Sequence, residues 1–276
     1  MPASAVDRWR RQLADWEIPA ALLEAVPWSP YEWAVPIWRR RTQDALDAAP
    51  TPTLRAVLDL SAPGDSVLDV GAGAGRYALA IARSGRSVTA LEPDDGMRHA
   101  LVELAGDLPV AAMPGSWPED SDRVPRHAVV LCANVVYNVG AIAPFLAALA
   151  QNAEKAVVIE LTSSHPWVHL GRYFQRLHGL ARPSGPRTSD LLEVIQEVLE
   201  VQPELSTWTR PAAVSFESID ELVEFYARRL VLPEDRWSEL AALLRPEAKL
   251  IEGRWQVGPT EREYATLWWA KPNSTS

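Results

Sequence analysis

Cysteine and basic residues are both scarce in this sequence. Cys132 is the only cysteine in 276 residues, which excludes an internal disulfide and a zinc site built from several cysteines. There are 27 Lys and Arg against 36 Asp and Glu, for a net charge of −9. A protein that coats nucleic acid usually has the opposite balance, so we do not expect nucleic acid as a partner.

Long apolar runs are absent as well. No stretch reaches the roughly 18 uncharged apolar residues that a membrane span requires. Asp7, Arg8 and Arg10 stand where a signal peptide would have its apolar segment. Phe and Tyr are few, at four and six, whereas Trp is abundant at 12; Trp can line a ligand pocket as well as fill a core. The sequence predicts a cytoplasmic protein that does not associate with membranes.

Residues 1–50 are predicted to form a helical segment that caps a core over 51–276. Trp9, Leu13 and Trp16 recur at helical spacing until Pro19 interrupts the pattern. Three consecutive arginines, 39–41, fit a solvated helix face better than a site for an anionic ligand.

The rest of the chain alternates between strands and helices. The predicted strands cover 66–70, 87–91, 109–113, 128–133, 155–160, 205–209 and 263–270. Such alternation is typical of an α/β domain with a doubly wound, Rossmann-like sheet. We expect about seven strands, the last antiparallel, with helical insertions near 162–190 and 216–245 that complete the cap.

A glycine-rich turn follows the first predicted strand. Gly71, Gly73 and Gly75 let a ligand approach the backbone and leave helix N–H groups pointing at it. A dinucleotide-binding turn has glycine at its first, third and sixth positions. Here the sixth position is Arg76, so a nicotinamide-dependent oxidoreductase is the weaker alternative.

The run from Asp69 to Gly75, Asp-Val-Gly-Ala-Gly-Ala-Gly, resembles motif I of the class I S-adenosylmethionine (SAM)-dependent methyltransferases. Three later segments match the same family in order. Leu91-Glu92-Pro93 ends the second strand, where the family binds the ribose hydroxyls through a carboxylate. Gly115-Ser116-Trp117-Pro118 stands where the family contacts adenine, and 131–139 covers the end of the fourth strand, beside the methyl group. Segments 29–31, 160–166 and 178–186 are similar to uncharacterised bacterial members and imply no substrate.

The resemblance implies that the protein binds SAM, releases S-adenosylhomocysteine (SAH) and needs no metal. The cofactor-binding residues it implies are Asp69, Gly71, Ala72, Gly73, Gly75, Glu92, Pro93, Ser116, Trp117, Asn134 and Val135. Many members have an aspartate near the position of Ser116. Its absence leaves adenine recognition to the backbone and Trp117.

The implied reaction is an in-line displacement that moves a methyl group to an oxygen or nitrogen of a small-molecule acceptor. His165, just past the fifth strand, is the candidate general base if one exists. Tyr137 could hold the acceptor or present its ring to the sulfonium by a cation–π interaction. The candidate acceptor-binding residues are Tyr31, Tyr137, Trp167 and Tyr173, and Glu160 is predicted to reach the same pocket.

Two further alternatives stay open. An RNA methyltransferase could use the arginines at 8, 10, 11 and 39–41, although no Asn-Pro-Pro-Tyr follows the fourth strand to support base methylation. A non-catalytic SAM-binding protein would bind the cofactor without an acceptor pocket. The acceptor and the oligomeric state, monomer or homodimer, are not predicted.

Overall fold

A computed structural model describes residues 3–211 and 214–271. Its helices are α1 (Ala5–Ala14), α2 (Ala20–Leu23), α3 (Val35–Leu46), α4 (Pro52–Asp59), α5 (Arg76–Arg83), α6 (Asp95–Ala105), α7 (Ile142–Asn152), α8 (Gly171–His178), α9 (Thr188–Leu199), α10 (Ile219–Arg229) and α11 (Trp237–Leu244). Its strands are β1 (Ser66–Val70), β2 (Ser87–Leu91), β3 (Val110–Met113), β4 (His127–Ala133), β5 (Ala153–Thr162), β6 (Glu204–Pro211), β7 (Lys249–Ile251), β8 (Arg254–Gln256) and β9 (Glu261–Ala270). Within these residues, no helix combines the length and apolar character needed to cross a membrane.

The main sheet has seven strands in the order β3-β2-β1-β4-β5-β9-β6. Strands β1 to β5 are parallel, and β9 pairs antiparallel with both β5 and β6. The predicted seven-stranded, doubly wound sheet with an antiparallel last strand is therefore confirmed. Strand order reverses between β1 and β4, and ligands of such sheets bind in the crevice at the carboxyl ends of the strands near this point.

Strand composition explains which parts of the sheet are covered. Strand β4 is apolar apart from His127 and is buried along nearly all its length, as expected of a parallel strand with helices on both faces. Strand β6, at the sheet edge, alternates exposed and half-buried residues. The β7–β8 hairpin was not predicted, because two three-residue strands are too short to show a period.

Helices from the two regions predicted as insertions, 162–190 and 216–245, pack against each other. Side chains of α8, α10 and α11 share a second hydrophobic core, which includes Phe174, Phe216, Leu222, Phe225 and Leu240. Trp167, which packs against this core, lines the crevice at the carboxyl end of β5, where the antiparallel β9 begins.

The N-terminal segment packs in two places. Helix α1 packs on α9 and α7, and its fully buried Trp9 donates its indole N–H to the Val139 carbonyl at 2.9 Å. Helix α3 packs instead against α5 and α6. Three side chains of α3, Trp38, Arg41 and Thr42, line the crevice.

Candidate functional site

A cavity of about 430 Å³ lies where the strand order reverses, at the carboxyl ends of β1, β2, β4 and β5. This volume is in the range of small-molecule sites. The predicted site residues that line it are Asp69, Gly71, Ala72, Gly73, Glu92, Pro93, Ser116, Trp117, Asn134, Val135, Tyr137, His165 and Trp167. The fold thus brings the four family-like segments to one cavity.

Four predicted site residues do not line the cavity: Glu160, described below, and the three that follow. Gly75 caps α5 with a φ of 90°, and a Cβ there would lie 3.0 Å from Leu101 Cγ, so this glycine serves the packing of the turn. Tyr31 is 61% exposed on the surface. Tyr173 is buried in the second core, and its hydroxyl donates to Glu247 at 3.0 Å.

The glycine-rich turn needs glycine for its backbone conformation and for its close packing against Val135. Gly71 has a φ of 70°, and a Cβ at this position would come within 2.5 Å of Val135 Cγ2. Gly73 also has a positive φ, 58°, and its N–H donates to Glu92 Oε2 at 2.8 Å. The turn and the end of β2 are therefore fixed to each other, with bare backbone facing the cavity.

Two buried carboxylates, Glu92 and Asp69, line the cavity beside the glycine-rich turn. Burial raises the pKa of Glu92, although the N–H groups of Asp94 and Gly73 partly offset the rise. Each carboxylate oxygen keeps a free lone pair, so Glu92 can accept further hydrogen bonds from a ligand. Burial also raises the pKa of Asp69 to about 7, against the opposing charge of Arg76.

Ser116 and Trp117 form the next part of the wall. The Ser116 N–H donates to Asp120 Oδ2 at 2.8 Å, and the Trp117 indole N–H donates to the Phe145 carbonyl at 3.3 Å. Since both donors are used internally, Trp117 offers the cavity an apolar ring face. Such a face suits a flat heterocycle.

Glu160 lies behind the cavity wall and organises it. The carboxylate is fully buried and accepts hydrogen bonds from Arg76 Nη2 at 2.6 Å, Asn134 Nδ2 at 2.6 Å and Thr53 Oγ1 at 2.7 Å, and also from the Tyr77 hydroxyl. Burial alone would raise the pKa of Glu160, but Arg76 and Arg210 outweigh it and lower this pKa to about 2. Glu160 is not itself among the lining side chains; it acts on the cavity through Arg76 and Asn134.

His165 and Tyr137 lie side by side in the lining of the cavity. The His165 ring stacks on Trp16 at 3.8 Å between centroids and meets the Tyr137 ring edge-on at 5.6 Å. Its Nδ1 accepts the Trp167 N–H at 3.2 Å, which leaves the proton of the neutral ring on Nε2. Burial, with the charges of Arg182 and Arg262, lowers the pKa of His165 to about 3. This geometry favours His165 as a hydrogen-bond donor over a general base.

Tyr137 is held as a neutral side chain. Its hydroxyl lies 2.6 Å from Thr162 Oγ1, donates to the Thr162 carbonyl at 3.0 Å and accepts the Thr162 N–H. Burial raises the pKa of Tyr137 above that of a free tyrosine. With the hydroxyl so occupied, the ring is the part of Tyr137 that a ligand can contact.

Several lining residues were missed by the sequence analysis: Trp33, Trp38, Arg41, Arg76, Tyr77, Arg210, Arg262 and Tyr264. The assignment of all three arginines 39–41 to a solvated face was wrong for Arg41. Consecutive helical residues point about 100° apart, so Arg39 pairs with Glu103 and Arg40 with Glu221, whereas Arg41 turns into the cavity. For Arg262 and Tyr264, the available signal was the two-residue alternation of the last strand.

Comparison with known proteins gives matches among solved structures. No protein-family model matches the sequence, and no curated protein does. A provisionally assigned methyltransferase from Bacillus halodurans C-125 is 17% identical, with a TM-score of 0.52 over 79% of this chain and 98% of that one. A provisionally assigned methyltransferase from an antibiotic biosynthesis pathway of Anabaena variabilis ATCC 29413 is 17% identical, with a TM-score of 0.53 over 78% of this chain and 95% of that one. At these identities the likeness concerns the fold, and the chain has the fold of the class I methyltransferases, as the glycine-rich turn predicted.

Proposed function

We propose that this protein is a SAM-dependent methyltransferase that acts on an oxygen or nitrogen of a small-molecule acceptor. The observation that carries the proposal is the hydrogen bond between the glycine-rich turn and Glu92. Both line the cavity where the strand order reverses. We call the part of the cavity at the ends of β1, β2 and β3 the cofactor half. The part at the ends of β4 and β5, with β6 and β9, is the acceptor half.

The residues of the cofactor half fit SAM. The backbone of the glycine-rich turn at 71–73 lines the cavity and can contact the methionine portion, and Asp69 is suited to its amino group. Glu92 has free lone pairs for two ribose hydroxyls, and Trp117 offers a flat apolar wall to adenine. When bound, SAM supplies an electrophilic methyl group on a sulfonium.

The acceptor half positions the nucleophile and excludes water. The ring of Tyr137 borders the methyl-transfer region, His165 can donate from Nε2 to the acceptor, and Trp167 adds an apolar surface. Positioning of this kind supplies much of the rate enhancement when the leaving group is already activated. The space beside Tyr137 and His165 also favours an enzyme over a non-catalytic SAM-binding protein, since an acceptor has room to bind.

Calorimetric titration with SAH tests the proposal, with NADH as the competing ligand. We expect micromolar binding of SAH and none of NADH. Glu92→Ala should weaken SAH binding about 10- to 100-fold, because a charged acceptor of two hydrogen bonds is lost. Glu103→Ala, which removes an exposed carboxylate paired with Arg39, is the matched control and should leave binding unchanged. Binding of NADH without SAH would contradict the proposal.

The affinity for SAH should also depend on pH through Asp69. Its pKa of about 7 means that the carboxylate becomes charged between pH 6 and 8, and the charged form is the one that attracts an ammonium group. We therefore expect SAH binding to strengthen by up to about tenfold from pH 6 to pH 8. Asp69→Asn should bind weakly and without this slope. A wild-type Kd that is flat across the range would show that Asp69 does not bind the amino group.

A further inference from the structure

Four arginines line the cavity, and we refer to Arg41, Arg76, Arg210 and Arg262 as the arginine cluster. They come from α3, the start of α5, the end of β6 and the start of β9. Arg210 and Arg262 are directly opposite each other in the β6–β9 register. Like charges at opposed positions of an antiparallel pair are destabilising, so the fold keeps a repulsive pair at this point.

The cluster has too few negative partners within the described part of the chain. Glu160 is the one carboxylate in ion-pair contact with it, at 2.6 Å from Arg76 and 3.9 Å from Arg210. Arg41 and Arg262 have no ion-pair partner among residues 3–211 and 214–271, and Arg262 Nη2 lies 3.4 Å from a ring nitrogen of His169. The buried Nε of Arg210 has no hydrogen-bond partner there either. Four arginines therefore share one ion-paired carboxylate within the described residues.

The excess of positive charge shifts the pKa values of Tyr264 and Arg41. Burial alone would raise the pKa of Tyr264, yet the charges of Arg210 and Arg41 outweigh it and lower that pKa. Burial also lowers the pKa of Arg41 to about 10, and repulsion from Arg210, Arg76 and Arg262 adds to the effect. A positive potential that favours a phenolate will favour any other anion in the same place.

We infer that the acceptor carries an anionic group, a carboxylate or a phosphate, that binds the arginine cluster. Planar guanidinium groups bind both anions through paired hydrogen bonds. The inference rests on the proposed methyltransferase function, because it names the acceptor class of the same cavity.

The position of the cluster also limits the acceptor's shape. Strands β4 and β6 are three strand spacings apart, or roughly 14 Å. The anionic group would bind toward β9 and β6, while the reacting atom lies near Tyr137 at the end of β4. The two groups therefore belong to different ends of a small acceptor. An RNA strand is disfavoured, since the arginines are inside a cavity of a chain with net charge −9.

The test compares anionic probes with their neutral counterparts on the SAH-saturated protein. Benzoate is paired with benzamide, and phenyl phosphate with phenol, and each Kd is measured by ligand-observed NMR. We expect at least one anion to bind tenfold or more tightly than its neutral counterpart. A preference confined to benzoate identifies a carboxylate acceptor, and one confined to phenyl phosphate identifies a phosphate.

Two variants assign that preference to the cluster. Arg210→Gln and Arg262→Gln should each reduce anion binding at least tenfold while SAH binding stays within twofold of the wild type. Arg245→Gln, which changes an exposed arginine near Asp220, is the matched control and should keep the preference. Arg262→Gln should also unfold at the same temperature as the wild type or higher, because a like-charge pair is relieved; a purely structural role predicts a lower temperature.

The outcomes separate the inference from the function on which it rests. Normal SAH binding with equal affinity for charged and neutral probes would overturn the inference and leave the methyltransferase proposal standing. Displacement of the probes by a mixed-sequence oligoribonucleotide at lower concentration than either anion would overturn the small-molecule assignment. Failure to bind SAH would overturn both.

Discussion

Glu160→Ala should lower the free energy of unfolding by about 3–5 kcal/mol, since removal of one partner leaves an uncompensated buried charge. Arg76 would lose its ion pair, and Asn134 and Thr53 would lose their acceptor in the interior. Urea denaturation followed by circular dichroism measures the change. The double variant Arg76→Met/Glu160→Gln should lose less than the sum of its two single variants, because the two groups interact directly. Additive losses would show that the ion pair contributes nothing.

The same residue should affect the response to acid. Because the folded-state pKa of Glu160 is about 2 and its ordinary value is 4.5, its ionised form stabilises the protein above pH 4.5. This contribution is lost as the pH falls from 4.5 toward 2, and it amounts to roughly 3 kcal/mol. Glu160→Gln should therefore be less stable than the wild type at pH 7, and the difference should shrink toward pH 2. A difference that stays constant between these pH values would contradict the assignment.

Trp9→Ala should lower the free energy of unfolding by about 3–5 kcal/mol, the usual range for removal of a buried tryptophan. The indole is fully buried between α1 and the sheet, and it satisfies the Val139 carbonyl. Val139 also lines the cavity, so SAH binding should weaken together with stability. Thermal unfolding and SAH titration on the same samples measure both effects.

Two further variants serve as comparisons for Trp9→Ala. Trp9→Phe keeps most of the packing but loses the hydrogen bond. Its stability should therefore fall between those of the wild type and Trp9→Ala. Trp33→Ala removes a partly exposed indole and should change the unfolding temperature little. Equal stability of Trp9→Ala and the wild type would mean that α1 does not contribute to the folded core.

Local sequence patterns predict the sheet well, because strand period and glycine-rich turns act over a few residues. The predicted bounds 66–70 and 87–91 are those of β1 and β2. The register that places Arg210 opposite Arg262 joins residues 52 positions apart, and no local pattern specifies it. The β7–β8 hairpin was not predicted for the opposite reason, since its strands are too short to show a periodic pattern.

The cofactor half of the site was more predictable than the acceptor half. Gly71, Gly73 and Glu92 lie at strand ends within a short stretch of chain, where sequence order and position in the sheet are closely linked. The arginine cluster gathers residues from 41 to 262, and their meeting depends on how α3 and β9 pack. Tyr31 and Tyr173 show a second limit, because aromatic character indicates contact surface without indicating which surface is contacted.

The position of β9 between β5 and β6 sets an order of events during protein synthesis. Residues 261–270 are translated after every other strand of the sheet, yet β6 is joined to the sheet only through them. Until they emerge from the ribosome, the nascent chain can assemble β1 to β5 but leaves the edge of β5 unpaired, an edge prone to association with other chains. Arg262 and Tyr264 arrive with this strand, and β6 brings Arg210 into line with them. The proposed surface for the methyl donor can therefore form during translation, whereas the proposed surface for the acceptor is completed only when β9 is inserted.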